Sequence, residues 1–380
     1  MNRHLPSHPE TLLLQAALRP GDEAVGVWQA WQKEVEFEQV DLGSQRLLPL
    51  LHANLKRLGV RDPILAKYEG IHKRHWYKDR LLMDALERVL KVLAEHRLPV
   101  VLIKGAAFNA LGFYQPGMRP MSDLDLMVPL DRAREAAALL LAAGWTRISE
   151  DGGAELSPAD LRFGKEAVFK KGPELEIELH WECSWEFYRG APARELWANA
   201  SGASLRGHPF LVLHPADHLL LVCAHGAAAN RITPIRWVGD ALVLLRHTSI
   251  DWTYLVAHAR QHRLVYPVRN MLRYLNEHFD AKIPATALAD LDRAPVGRME
   301  KRYWDTMQTP YPEHGVMQVV ETLGYDLVRL TGGRPGAGDF AGYFAYLWKP
   351  LWKAKSGGGS LWVFLGWLMG RIRRFFGAKK

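Results

Sequence analysis

The feature that most constrains this chain is a change of period near residue 98. From Asp79 to His96, the residues Leu82, Leu86, Val89, Leu90 and Leu93 keep the i, i+3, i+4, i+7 spacing of an amphipathic helix. After Pro99 the run Val100-Val101-Leu102-Ile103 is short, apolar and β-branched, which predicts a buried strand. Two later runs alternate with period two. In Asp123-Leu124-Asp125-Leu126-Met127-Val128 the first two acids alternate with leucines. Between Glu174 and Trp181, Glu174, Glu176, Glu178 and His180 share one face, and Leu175, Ile177, Leu179 and Trp181 share the other. A largely helical chain must therefore house a small sheet with one acidic, polar face.

Around these runs the reading is coarser. Residues 10 to about 97 read as helical. Lys104-Gly105-Ala106-Ala107 opens a short helix reaching about Phe113. Asp131 is a plausible N-cap for a helix through Ala142, and Gly144 suits its end. Trp145 to Ile148 and Glu166 to Phe169 are weaker strand candidates. After Pro215 the pattern is helical over about 216–229, 234–247, 252–262 and 266–279, with Pro284 closing the last. Gly332 to Gly338 reads as a linker, and Ser356-Gly357-Gly358-Gly359-Ser360 as a flexible hinge. The expected fold class is α+β. A helical N-terminal region (1–97) precedes a small mixed α/β unit (98–205), a helical region (206–330), and a Gly-rich linker with a basic aromatic tail (331–380).

Charge is distributed unevenly. Lys349, Lys353, Lys355, Arg371, Arg373, Arg374, Lys379 and Lys380 lie in a stretch with no acid, so the net charge of +8 sits there and the body is balanced. A body that grips a long phosphate backbone should carry its own basic excess, so a long nucleic acid is not the expected partner. The 48% hydrophobic and 24% charged content excludes a disordered or fibrous chain. No apolar run approaches the ~20 residues of a transmembrane helix, and the N-terminus has no apolar signal core. Two cysteines, Cys183 and Cys223, fit a reducing compartment and exclude a cysteine-built zinc site. The expected location is cytoplasmic, with the tail (356–380) placing the protein at the inner membrane face or against a partner protein. Trp362, Phe364, Trp367, Phe375 and Phe376 suit a lipid interface, and the arginines suit anionic head groups. The arginines do not gather on one side of a helical wheel. Shallow insertion, docking in a partner's groove, and packing on the protein's own core all stand as alternatives.

Asp123 and Asp125 point to the same side of their strand. Two carboxylates that close repel each other unless a cation lies between them, and magnesium is held by one or two carboxylates plus substrate phosphates. A third carboxylate from a neighbouring strand, Glu178 or Glu176, would complete a metal site. Lys104-Gly105 can meet a phosphate through backbone and ammonium, and Arg119 and Ser122 can add contacts. His180 shares the Glu178 face, either touching ligand or serving as a structural histidine. Arg236 and Asp240 stand four apart on a helix, as a plain ion pair or as an arginine reaching the ligand. Asp217, His218 and His225 lack the cysteine or fourth ligand that a zinc site would want.

The order of these motifs resembles the nucleotidyltransferase superfamily of DNA polymerase β type. It is more closely similar to the bacterial uncharacterised nucleotidyltransferase family. That family looks like L-K-G-x-A-L, then R-x-x-x-D-x-D-L-L-V, then an acid-Leu-His-Trp strand. Here these read Ile103-Lys104-Gly105-Ala106-Ala107-Phe108, Arg119-Pro120-Met121-Ser122-Asp123-Leu124-Asp125-Leu126-Met127-Val128, and Glu178-Leu179-His180-Trp181. Later motifs agree too: Leu213-His214-Pro215-Ala216-Asp217-His218-Leu219-Leu220 with His225, Arg236-Trp237-Val238-Gly239-Asp240, and Asp251-Trp252. The resemblance spans roughly residues 40–290 and implies a polymerase β-like nucleotidyltransferase core with helical flanks. It further implies transfer of a nucleoside monophosphate from an NTP, ATP first among them, to a hydroxyl of a small molecule, peptide or protein. Asp123, Asp125 and Glu178 would be catalytic and would hold Mg2+, with Mn2+ as substitute. Lys104, Gly105, Arg119, Ser122, His180 and Arg236 would face the nucleotide. Two departures stand out: Gly105-Ala106 where Gly-Ser is usual, and Glu178 where aspartate is usual. A member that keeps the fold as a nucleotide-binding scaffold without turnover is the alternative.

Overall fold

Seven strands form one mixed sheet: β1 (Val101–Leu102), β2 (Leu124–Met127), β3 (Thr146–Ile148), β4 (Glu166–Lys171), β5 (Leu175–His180), β6 (Ser201–Leu205) and β7 (His208–Val212). Their spatial order is β3-β4-β5-β2-β1-β7-β6. The computed structural model describes residues 5–149, 152–228, 232, 234–308, 316–333 and 335–354. The fold is α+β, with helices flanking the sheet on both sides in sequence.

Register follows the alternation. β2 runs parallel to β5 with Asp125 opposite Glu178 and Met127 opposite His180. β4 runs antiparallel to β5 with Glu166 opposite His180. Side chains alternate across a strand, so Leu124, Leu126, Ile177, Leu179, Ala167 and Phe169 share the other face. All six are buried together with Leu82, Leu86, Leu90 and Leu93 of the helix Leu65–Glu95 and with Ala133, Ala136 and Leu140 of the helix Ala133–Ala142. Each of those leucines contributes about 1.5–3 kcal/mol on burial. A one-residue slip of β2 would turn the aspartates into this core and the leucines out, so the register is strongly specified.

The polar face of the sheet borders a second core. Val101, Ile103, Phe108 and Met127 join helices from both ends of the chain, including Leu13 and Leu14 of His8–Leu18, Leu51 of Leu48–Arg57, Leu219 of Pro215–Ala227 and Leu272 of Val265–Phe279. The sheet thus divides the molecule, with an apolar layer behind it and a helical body in front.

Several sequence expectations change. The hairpin β6–β7 was not expected, and β7 lies past residue 205, where the sequence ends the α/β unit. Ser201, Gly202, Ser204 and Pro209 disfavour strands. The signal was the turn, since Arg206 (φ 49°) and Gly207 (φ 87°) both adopt positive φ, as a two-residue type I′ hairpin requires. Asp131 caps no α-helix. It lies in a 3-10 turn, Leu130–Arg132, that leads into the helix from Ala133. Pro284 opens the helix Ala285–Arg293 rather than only ending the one before. The region read as linker and tail contains the helix Ala337–Ala354. Tyr343 of that helix packs with Phe163 and Leu327. The hinge at 356–360 and the aromatic tail lie outside the described residues. Among the described residues no helix is long and apolar enough to cross a membrane.

Candidate active site

The polar sheet face opens on a cavity of about 300 Å³. Lys104, Gly105, Arg119, Ser122, Asp123, Asp125, Glu178 and Arg236 all line it. His180 does not. It is fully buried behind the carboxylates, with Nε2 3.1 Å from Asp125 Oδ1 and 3.4 Å from Glu178 Oε2. Its Nδ1 lies 3.1 Å from Glu166 Oε2. Burial alone would lower the His180 pKa, but the Glu166 charge and the hydrogen bonds to Asp125 and Glu178 raise it. His180 thus fixes Asp125 and Glu178 from behind.

The carboxylates differ sharply in charge state. Asp123 is pushed up to about 7, first by burial and then by the charges of Asp125 and Glu178. Its Oδ2 accepts a hydrogen bond from Ser122 Oγ at 3.1 Å. Burial would also raise Asp125, but the Lys104 ammonium and the His180 hydrogen bond hold it well below the usual carboxylate range. Glu178 is lowered despite burial, mainly by His180. Two groups of donors lie within 4.8 Å of one another: Asp125, Glu178 and His180, and separately Asp123, Glu176 and Glu178. An oxygen-rich set that crowds anions until one of them takes up a proton fits a hard divalent cation.

Lys104 stands at the seam of β1 and the short helix Lys104–Ala110. Its φ is 50°, in the left-handed region that costs a non-glycine residue about 1–2 kcal/mol. From there its Nζ donates to Asp125 Oδ1 at 2.6 Å and reaches Glu178 Oε2 at 3.5 Å. The short helix has only seven residues, so its dipole offers an anion little. Gly105 has a steric role. A Cβ there would strike Arg119 Nη1 and come within 3.1 Å of Met121.

Arg119 has a different partner from the phosphate expected of it. Its Nε and Nη2 donate to both oxygens of Asp240, at 2.7 and 2.8 Å, in a buried bidentate pair. Tyr114 Oη donates to the same carboxylate at 3.0 Å. The intrahelical Arg236–Asp240 pair is therefore not what forms. Arg236 instead donates to the Pro120 carbonyl. Burial, then the neighbouring Arg119, push its guanidinium down to about 9. Arg46 was not anticipated. It follows the short helix Leu42–Gln45, capped by Asp41, and lines the same cavity, its pKa lowered chiefly by burial. No motif marks Arg46, because it reaches the site only through tertiary packing. Among the described residues neither Arg46 nor Arg236 has a carboxylate within ion-pair distance.

The wall holding Arg119 is fastened to the long helix. Asp79 accepts from Asn109 Nδ2 at 2.6 Å and from Gly117 N at 3.2 Å. Gly117 (φ 79°) has no room for a Cβ, which would lie 2.7 Å from the Trp76 backbone. Asp217 and His218 have other partners. Asp217 accepts from Tyr254 Oη at 2.8 Å and lies 3.0 Å from His258 Nδ1, and His218 packs on Phe108.

The site is an acidic floor on paired strands facing two guanidinium groups that have no carboxylate within ion-pair distance among the described residues. Residues 42–280, well over half of the chain, match the family of uncharacterised nucleotidyltransferases, and the chain belongs to it. The family's general chemistry is nucleotidyl transfer. No curated protein and no solved structure matches this chain.

Proposed function

We propose that this protein is a metal-dependent nucleotidyltransferase that moves a nucleoside monophosphate from an NTP, ATP first among them, to a hydroxyl of a small molecule, peptide or protein. The acceptor oxygen forms the new bond to the α-phosphorus, pyrophosphate leaves, and the hydroxyl proton passes to Glu178 or water. One observation carries the reading: three carboxylates and two arginines with no carboxylate partner among the described residues face the same 300 Å³ space. Asp123, Asp125 and Glu178 would hold Mg2+ or Mn2+, which when bound neutralises charge on the phosphates and the attacking oxygen. Arg236 and Arg46 supply the phosphate side, with Ser122 and the backbone at Gly105 beside them. Arg119 holds that wall in place, and His180 holds the carboxylates. Most of the catalysis is then positioning and charge neutralisation.

A scaffold that binds nucleotide without turnover is the second reading. It is favoured by Ala106 in place of a phosphate-binding serine and by the Lys104 ammonium lying on the carboxylates. Labelled NTPs, Mg2+ and candidate acceptors separate the two. Wild type should release pyrophosphate with incorporation of label, and Asp123→Ala/Asp125→Ala should lose at least ~10³ of the rate, the scale seen for charge-stabilising groups. Equal release by both proteins would defeat the enzyme reading, and NTP binding without release would establish the scaffold. We further propose a cytoplasmic protein whose basic, aromatic residues 356–380 attach it to an anionic membrane surface.

A further inference from the structure

Lys104 Nζ and His180 Nε2 converge on the same two atoms, Asp125 Oδ1 and Glu178 Oε2. Those oxygens belong to one of the two donor groups close enough to hold an ion. The lysine side chain is 14% exposed and the Asp125 side chain 4%, so this pair is largely shielded from water. The backbone at Lys104 is held at positive φ where a glycine would be relaxed, and the strained turn is what delivers the ammonium to the carboxylates. A divalent ion seeking these oxygens meets a positive charge already there. A lysine is suited to yielding such a place. Its charge sits on a flexible four-carbon stem, and Lys104 also lines the cavity that Arg46 and Arg236 face.

We infer that Lys104 is the resident cation of the metal-free site, neutralising Asp125 and Glu178 until a divalent ion displaces it into the cavity, where its ammonium meets the anionic ligand. The inference rests on the metal-site reading above. The arrangement would keep the acidic floor stable without metal and couple metal entry to delivery of one more positive charge toward the phosphates. It would also weaken metal binding in the absence of nucleotide, because the ion must first break a shielded ion pair.

The test uses the full chain stripped with chelator and titrated calorimetrically with Mn2+ alone. Lys104→Met removes the competing charge, so it should bind Mn2+ at least about tenfold more tightly than wild type, a 1.4 kcal/mol difference. The same variant should melt at lower temperature than wild type in chelator, because Asp125 and Glu178 lose the Lys104 charge and keep only His180 beside them, and Mn2+ should close that gap. Lys104→Gln, which keeps a donor but no charge, should behave likewise and serves if Lys104→Met folds poorly. A structural lysine would lower the melting temperature without tightening metal binding. Unchanged or weaker Mn2+ affinity in both variants, with binding lost in Asp123→Asn/Asp125→Asn, overturns the inference and leaves the metal site standing. Absence of Mn2+ binding in wild type and in both lysine variants overturns the inference and the metal site together.

Discussion

Asp123 shows how much chemistry a single side chain's surroundings can fix. It shares its strand face with Asp125, but Lys104 and His180 both bind Asp125 and leave Asp123 to absorb the repulsion. Its carboxyl, ordinarily near 3.8, is pushed up to about 7 by burial and by the charges of Asp125 and Glu178. Between these values the folded protein holds a proton that the unfolded chain does not, so this group's contribution to stability falls as pH rises through the window. A cation reverses the preference by displacing the proton. Mn2+ affinity should therefore rise about tenfold per pH unit between pH 5 and 7 and level off above. Calorimetry in two buffers of different ionisation enthalpy should find nearly one proton released at pH 6 and almost none at pH 8. A flat affinity across that range would mean Asp123 is not a ligand. Asp125 and Glu178, both held low, stay ionised throughout and do not blur the transition.

Between elements, the Arg119–Asp240 pair ties the loop before β2 to the helix Trp237–His247 across the cavity. Removing one partner of a buried pair strands the other, at a cost of about 3–5 kcal/mol. Arg119→Met should lower stability in denaturant unfolding by that amount, and Arg119→Met/Asp240→Asn should recover part of it. A loss below ~1 kcal/mol for the single variant would show that the clamp does not hold. This contact marks where sequence reading stops. The alternation in 123–128 and 174–181 gave strand faces and the Asp125–Glu178 adjacency, because local period and register are one constraint. The Arg236–Asp240 spacing suggested a local pair, but the carboxylate went to an arginine 121 residues away that approaches bidentately. The hairpin β6–β7 escaped because its strands are poor in β-branched residues, and Arg46 because nothing in its own segment records what packs above it.

Across the whole molecule, the net positive charge of the sequence falls in the stretch from Lys349 to Lys380, after the residues that form the cavity. The body holds the cavity, and the helix Ala337–Ala354 carries exposed Phe340 and Phe344 one turn apart on the approach to the basic tail. Full-length protein should float with vesicles containing anionic lipid in low salt and release as salt screens the contact, while a chain ending at residue 354 should stay in the dense fraction. Equal flotation of the two would remove the tail from the account. The helical body has a further consequence. Thr11 hydrogen-bonds Tyr274, and Gln15 reaches the carbonyl of His278, each across 263 residues. The helix His8–Leu18 packs mainly on its sequence neighbours Glu23–Glu34 and Leu48–Arg57, and these two bonds add a long-range closure onto Val265–Phe279. Arg236 follows Glu178 by 58 residues, so a growing chain completes the acidic floor before it owns that part of the opposing wall.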